Sequence, residues 1–425
     1  MMKKKILPLI LIININFCLA QNSFLLKGVS IVPLTSNQVL KNLDVLIQDG
    51  KIAKISKIIG ENEDCTVINC TGKFLMSGLV DMHAHLPNYS IKDITVNHYL
   101  LLQLASGVTT LRSMRGDYDH LLLKDSINRG YILSPNLYLS APPIRHSTPI
   151  DSIAPFVVKY KKDGFDFIKV LSVSSEGHYT AITNQAKQVG FKVVGHVPMN
   201  NLSLALEHNQ YSIEHLQGYT NLYELGQFKE LQRLIQLTKT NGIYNCPTMD
   251  WYFVGSLFFE LNDLKKRAGL EFVSNSLKQK WESDYIDYKK LVTKEELIKD
   301  SIHLVAIRKV MQLLKSNQAK IILSPDASSI FQVPGFGLVE EMKLMQQMGF
   351  SNYDILRAAT IIPLDYFQSA AVSAGIKEGS NANLILLNAN PLEDIKNIEK
   401  QEGIFLNGKW LSQEYLIGRL KSFLK

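Results

Sequence analysis

Cysteine is scarce in this chain: four residues in 425, at positions 18, 65, 70 and 246, and no two form a C-x-x-C pair. That excludes a small disulfide-built scaffold and the zinc ribbons and fingers held by paired cysteines. Concentrated charge of one sign is lacking too. Lys and Arg total 46 against 39 Asp and Glu, and the basic residues are scattered, so nucleic acid is not an expected partner. What the composition does hold is 46% apolar and 20% charged residues, the balance of a folded chain with a sizeable core. A length of 425 residues suits one large α/β domain with additions, or two to three domains.

The first residues differ from the rest. Lys3, Lys4 and Lys5 precede an apolar run from Ile6 to Phe17, and Cys18-Leu19-Ala20 leads to a cleavage point before Gln21. This is the pattern of a signal peptide over residues 1–20, which predicts export to the periplasm or the medium. An uncleaved anchor is disfavoured because the run is short for a span and contains Asn14 and Asn16. Lipoprotein processing at Cys18 is disfavoured by Ile15-Asn16-Phe17, which lacks a small residue. Without the leader the formal charge falls from +7 to +4, and no stable membrane anchor is expected. An oxidising compartment would permit Cys65 and Cys70 to pair, leaving Cys246 as a buried thiol.

Two β-rich regions flank the middle of the chain. Residues 21–76 alternate in short runs with an Asp49-Gly50 turn, and residues 374–425 repeat that character with Asn407-Gly408 at a hairpin tip. Neither holds enough strands to close a sheet, so the expectation is one composite β-sandwich built from both ends. Between them, residues 77–373 alternate strand and helix. Eight candidate strands are Leu79–His83, Val108–Arg112, Leu137–Ala141, Phe167–Leu171, Lys192–His196, Ser212–His215, Ile243–Thr248 and Ile321–Ser324. Eight such units predict a distorted (β/α)8 TIM barrel. The rhythm breaks over about 250–318, a Leu-, Lys- and Glu-rich stretch of helical period that reads as an insertion, either a lid or a surface decoration.

Active sites in such barrels lie at the C-terminal ends of the strands. Here those ends carry His83 and His85, Lys169, His196, His215 and Asp326. His83 and His85 are two apart in an extended segment, so their imidazoles share a face at the spacing one metal ion needs. Each residue alone has an ordinary reading: a hydrogen-bonded core histidine, a capping aspartate, a snorkelling lysine. Six at matching strand ends favour a metal centre.

The motifs Gly78-Leu-Val-Asp-Met-His-Ala-His, Gly107-Val-Thr-Thr-Leu-Arg, Phe167-Ile-Lys-Val, Ser212-Ile-Glu-His, Ser324-Pro-Asp-Ala, Ala358-Ala-Thr and Gly379-Ser-Asn-Ala-Asn-Leu-Ile-Leu-Leu carry a resemblance. The mature chain resembles the amidohydrolase superfamily, in its imidazolonepropionase-like and Xaa-Pro dipeptidase-like branch. It departs at Ser77, where the family usually has Pro, and at Asn383, where it usually has Asp, both away from the metal positions. The resemblance implies two divalent ions, zinc with manganese or cobalt as substitutes. His83, His85 and Asp326 would hold one ion and His196 and His215 the other, with Lys169 carboxylated on its amine as the bridge. It further implies hydrolysis of an amide bond in a small substrate, with Asp326 as the proton acceptor and donor. Single-metal members lack the lysine.

The substrate is less legible. Loops after the strands offer Arg115, Arg145, His146, His178 and Tyr219, with His146 and Tyr219 directly following strands three and six. A guanidinium grips a carboxylate in a fork, which favours a dipeptide or N-acyl amino acid. Trp251 and Tyr252 are candidates for the pocket wall, while His98, His120, His208 and His303 are assigned no role. Alternatives are a lactonase, cyclic-amide hydrolase or deaminase on the same scaffold, or a non-catalytic binding protein. Self-association is left open.

Overall fold

The computed structural model describes residues 23–61, 64–87, 94–173, 175–367 and 375–424, so the leader expected over 1–20 lies outside the described residues. Five strands come first: β1 (Ser23–Ile31), β2 (Leu40–Gln48), β3 (Lys51–Ser56), β4 (Cys65–Asn69) and β5 (Phe74–Ser77). Eight more follow at longer intervals: β6 (Leu79–Ala84), β7 (Val108–Ser113), β8 (Asn136–Leu139), β9 (Phe167–Val170), β10 (Lys192–Gly195), β11 (Ser212–Glu214), β12 (Tyr244–Cys246) and β13 (Lys320–Ile321). The last three are β14 (Leu384–Leu387), β15 (Gln401–Leu406) and β16 (Lys409–Ser412).

Both ends of the chain enter one eight-stranded sheet, ordered β16-β15-β14-β5-β1-β2-β3 with β4 also paired to β1. The join is β5 against β14, antiparallel, with Ser77 opposite Leu384 and Phe74 opposite Leu387. Two tight hairpins set its registers. Asp49-Gly50 connects Gln48 to its partner Lys51, and Asn407-Gly408 connects Leu406 to Lys409, all four turn residues having positive φ. That is the two-residue turn the Asp-Gly and Asn-Gly pairs predict. The departures from the family pattern fit quietly here: Ser77 is a buried strand residue, and the Asn383 side chain accepts from the Asn407 amide at 2.7 Å.

Cys65 and Cys70 are both free. Cys65 opens β4 and Cys70 lies just past its end, and an extended strand rises about 3.3 Å per residue, far beyond disulfide reach. The pairing allowed by the sequence therefore does not form. Cys246 is a buried thiol, as expected.

The middle of the chain is α/β with parallel strands. β6-β7-β8 form one sheet and β9-β10-β11-β12-β13 another. An isolated parallel bridge joins Ser140 to Phe167, and the Met82 amide donates to the Leu323 carbonyl at 3.2 Å, so both pairs of sheet edges touch. All eight predicted strands are present. Several stop short of the predicted end, and the backbone turns into left-handed conformations at His215 (φ 62) after β11, at Thr248 (φ 49) after β12 and at Asp326 (φ 48) beyond β13. Residues in β6, β7 and β9 are buried throughout, which explains runs of apolar residue without clean alternation.

Glycines permit two close approaches. A Cβ on Gly78, between β5 and β6, would meet the Thr109 hydroxyl at 2.1 Å, and one on Gly195 would meet the Val170 carbonyl at 2.3 Å. The second brings β10 against β9 immediately before His196.

The interval after β12 is helical, with Asn275–Leu291 and Lys294–Ser316 as its long helices. Thr293 and Glu296 form a reciprocal cap at the start of the second. Among the described residues, no helix is long and apolar enough to cross a membrane.

Candidate metal centre

The six strand-end residues converge. His83 and His85 have ring centroids 5.3 Å apart, His83 and His215 4.6 Å, and His196 and His215 5.0 Å. Asp326 reaches His85 Nε2 at 3.1 Å and lies 3.8 Å from His83 Nε2 and 3.9 Å from His215 Nδ1. Lys169 Nζ stands 2.9 Å from His83 Nε2. One donor atom each of His83, His215 and Asp326 falls within 4.8 Å of the others, a compact nitrogen and oxygen set.

Buried neighbours fix the rings. Glu214 accepts from His83 Nδ1 at 2.8 Å, which leaves the lone pair on Nε2, facing the centre. Thr248 donates its hydroxyl to the Pro247 carbonyl at 2.8 Å, so toward His215 Nδ1, 2.7 Å away, it acts as acceptor. His215 thereby also keeps its Nε2 lone pair free. Glu214 is itself held by Arg112 at 2.9 and 3.1 Å and by the Ser212 hydroxyl at 2.5 Å. Arg112 continues to the Met82 carbonyl and the Tyr366 hydroxyl, wholly buried. On the other side Asp81 accepts from Ser324 at 2.6 Å and from Gln103 at 3.1 Å, and Ser324 in turn accepts from the Asp326 amide. Left-handed backbone at His215, Thr248 and Asp326 costs of order 1–3 kcal/mol per residue and persists where surroundings impose it, as this network does.

Burial dominates the electrostatics. It pushes His83 well below the ordinary imidazole range, His215 to about 3 and His196 to about 4, with the Lys169 charge adding to each. All three are therefore neutral near pH 7, the form that donates a lone pair. Lys169 is brought down to about 8, again chiefly by burial, so its neutral amine is far more populated than in water. Burial opposes ionisation of Asp326, yet the facing imidazoles and the His85 hydrogen bond outweigh it and keep the carboxyl below its usual range. Neutral imidazoles, one carboxylate and an unmasked amine fit a divalent cation centre by donor chemistry. A second trio, His83, Glu214 and Cys246, is also close. It offers no thiolate, because burial and the Glu214 charge push the Cys246 thiol well up.

A cavity of about 900 Å³ opens beside His85, and a smaller one of about 230 Å³ beside His196. Arg115 lines the larger. Arg145 and His146 are exposed outside both walls, and His178 is buried at the start of helix Glu176–Gln188, its imidazole pushed down chiefly by that burial. Tyr219 corrects the sequence reading. Gly218 (φ 80) turns the chain so that helix Tyr219–Glu224 begins inward, and the phenol is buried with its hydroxyl on Thr238 and Asn245. It is a core residue, not a substrate contact. Tyr252 instead lies near the centre, its ring 6.4 Å from His215 and 4.9 Å from His303, which was given no role.

Sequence reasoning missed Arg112, Glu214, Asp81 and Thr248. Arg112, Glu214 and Asp81 stood inside quoted motifs, and for Asp81 a charged residue in the otherwise apolar run Leu79–Met82 was the available signal. Thr248 carried none.

Comparisons with known proteins show the family and the fold. The model of the amidohydrolase family matches residues 74–411. A Xaa-Pro dipeptidase with bound methionine in its active site superposes with a TM-score of 0.70 at 19% identity, over 92% of this chain and 100% of that one. Bottromycin amidohydrolase gives 0.73 at 21%, over 95% of this chain and 89% of its own. Dihydroorotase of Bacillus cytotoxicus is 44% identical over 73 residues, a stretch that spans 17% of each protein. With about four-fifths of its length inside that single match, the chain belongs to the amidohydrolase family.

Proposed function

We propose that this protein is an exported, binuclear metal-dependent hydrolase that cleaves a carbon–nitrogen bond in a small substrate such as a dipeptide or N-acyl amino acid. In this reading the two parallel sheets are arcs of one closed barrel, and the sheet built from both chain ends is a separate domain beside it. The observation that carries the proposal is the convergence of His83, His85, Lys169, His196, His215 and Asp326 from five strand ends.

His83, His85 and Asp326 would hold one divalent ion and His196 and His215 the other, zinc being favoured by the mixed donors. Such ions, when bound, supply a Lewis acid for the scissile carbonyl and an acidified water. The chain supplies the rest. The Lys169 amine, neutral in a useful fraction, adds to carbon dioxide with loss of a proton, and the carbamate replaces a buried cation with an anion between the imidazoles. Asp326, anchored through its amide to Ser324, takes a proton from the attacking water and returns it to the leaving nitrogen. Arg112 and Glu214 hold His83 in the tautomer that presents Nε2.

Purified mature protein, reconstituted with bicarbonate, should carry about two divalent ions per chain and hydrolyse members of a dipeptide and N-acyl amino acid panel. Fewer than about one ion per chain would refute the two-metal reading. A second reading, cyclic-amide hydrolysis, is favoured by the local match to dihydroorotase. The size of the larger cavity favours longer, acyclic substrates.

A further inference from the structure

We propose that the helical insertion sets the substrate class of this centre: a monoanion with a bulky apolar group, such as an N-acylated aromatic or branched amino acid. Arg115 would hold the carboxylate, and Leu277 and Trp281 would pack on the apolar group. The inference rests on the hydrolase reading above and adds to it which groups recognise the substrate.

The walls of the 900 Å³ cavity come from separate parts of the chain. His85 marks the metal end. Arg115, from the loop after β7, the segment after Asp326 and helix Asn275–Leu291 supply the other walls. Leu277 and Trp281 are four residues apart on that helix and so share one face. Both are buried, yet both line the cavity, so this helix gives it a packed apolar patch beside the Lys280–Asp284 pair.

That wall is anchored to the metal end. The Trp281 ring sits 5.6 Å from Phe331, in the segment that continues from Asp326. The same segment is tied down through Gln332, whose side-chain oxygen accepts from the Ser329 amide at 2.9 Å and whose nitrogen donates to Asp250 at 2.7 Å. Asp250 is ion-paired in turn with Arg267, a residue of the insertion itself. The insertion therefore fixes the distance between the reacting end and the apolar end.

Charge in the cavity is uneven. Lys280 and Asp284 form a 2.7 Å pair that cancels locally. Arg115 is exposed, and no ion pair forms on it among the described residues. Among the described lining residues, one guanidinium without an ion pair beside the apolar Leu277 and Trp281 favours a carboxylate joined to an apolar body, because a guanidinium binds carboxylate through two parallel hydrogen bonds.

The test is calorimetric titration of the mature, metal-loaded protein, repeated on metal-free protein, with N-acetyl-L-phenylalanine, N-acetylglycine and N-acetyl-L-phenylalaninamide. The phenylalanine acid should bind about tenfold or more tighter than the glycine acid. It should also exceed its own amide by about tenfold or more. R115M should erase the acid-over-amide preference and leave the phenylalanine-over-glycine preference intact. L277A should do the reverse, and if it unfolds, the ligand series on the unaltered protein still decides. An amide that binds as well as the acid, a preference untouched by R115M, or equal binding of the glycine acid would each overturn the proposal. Turnover separates the two readings. The binding pattern without hydrolysis removes the hydrolase and keeps this assignment, whereas hydrolysis without the pattern does the opposite.

Discussion

Lys169 and Lys192 lie on neighbouring strands, and burial brings each amine down to about 8. Their surroundings are opposites. Lys169 is within β9 and meets His83 Nε2 at 2.9 Å, with Asp326 and Glu214 as the nearest opposing charges. Lys192 opens β10 and lies over the Tyr211 ring at 4.1 Å and the Tyr366 ring at 4.9 Å, donating to the Tyr366 carbonyl at 2.8 Å. One amine faces lone pairs and carboxylates; the other is wrapped in π faces. A depressed lysine pKa is therefore no mark of a catalytic site by itself. Its partners decide, and two tyrosine rings with a carbonyl give the Lys192 amine neither a metal ligand nor a reacting group beside it.

The largest effect that would break this comparison is on turnover. On the proposed reading, in which Lys169 bridges the two ligand groups, Lys169→Ala should lower kcat/KM by about 10²-fold or more, with short carboxylic acids restoring part of it. Unchanged metal content together with no rescue would leave Lys169 a structural residue. Next in size is stability. Arg112→Met strands the buried Glu214 carboxylate and should cost about 3–5 kcal/mol, read from denaturant unfolding. A cost under about 1 kcal/mol would mean that the network behind His83 relaxes freely. Glu214→Gln is subtler. It should weaken metal binding by about 10–100-fold in a chelator competition, because a neutral amide oxygen is a weaker acceptor for His83 Nδ1 than the carboxylate. Equal affinity would show that ring packing alone holds the tautomer.

Much of this was legible before any coordinates. Side chains at strand ends point in known directions, so His83, His85, Lys169 and His196 follow from strand placement alone, and Asp-Gly and Asn-Gly announced their hairpins. His215 and Asp326 are placed in the same way, at the ends of strands six and eight, although their backbones are left-handed and break the alternation that would have aimed them. Tyr219 failed for the same reason in reverse: Gly218 redirects the chain just before it, which no period reveals. Partners such as Arg112 with Tyr366, 254 positions apart, depend on closure of the sheets and leave no local trace. The insertion was visible as a break in rhythm, but its contribution of Leu277 and Trp281 to a cavity wall required the packed chain.

The smallest effect sharpens the same pair of lysines from the other side. Lys192→Met should leave kcat/KM and metal content unchanged, since its amine touches only tyrosine and main chain. It should change how stability depends on pH. The folded amine titrates near 8 because burial, helped by the Arg112 charge, disfavours the cation, whereas an unfolded lysine titrates at about 10.4. Between those values the unfolded chain binds more protons than the fold, so the stability of the unaltered protein rises with pH through that window. The penalty is fully present below about pH 8 and gone above about 10.4. The methionine variant carries no such penalty, so its advantage should be greatest near pH 7.5 and shrink toward pH 10.5. Partial exposure and the lost cation–π contacts limit that advantage to about 1 kcal/mol. Paired thermal unfolding across the range measures it. Parallel curves would mean that the π faces fully compensate the cation, and that the two lysines differ in energetics as well as in chemistry.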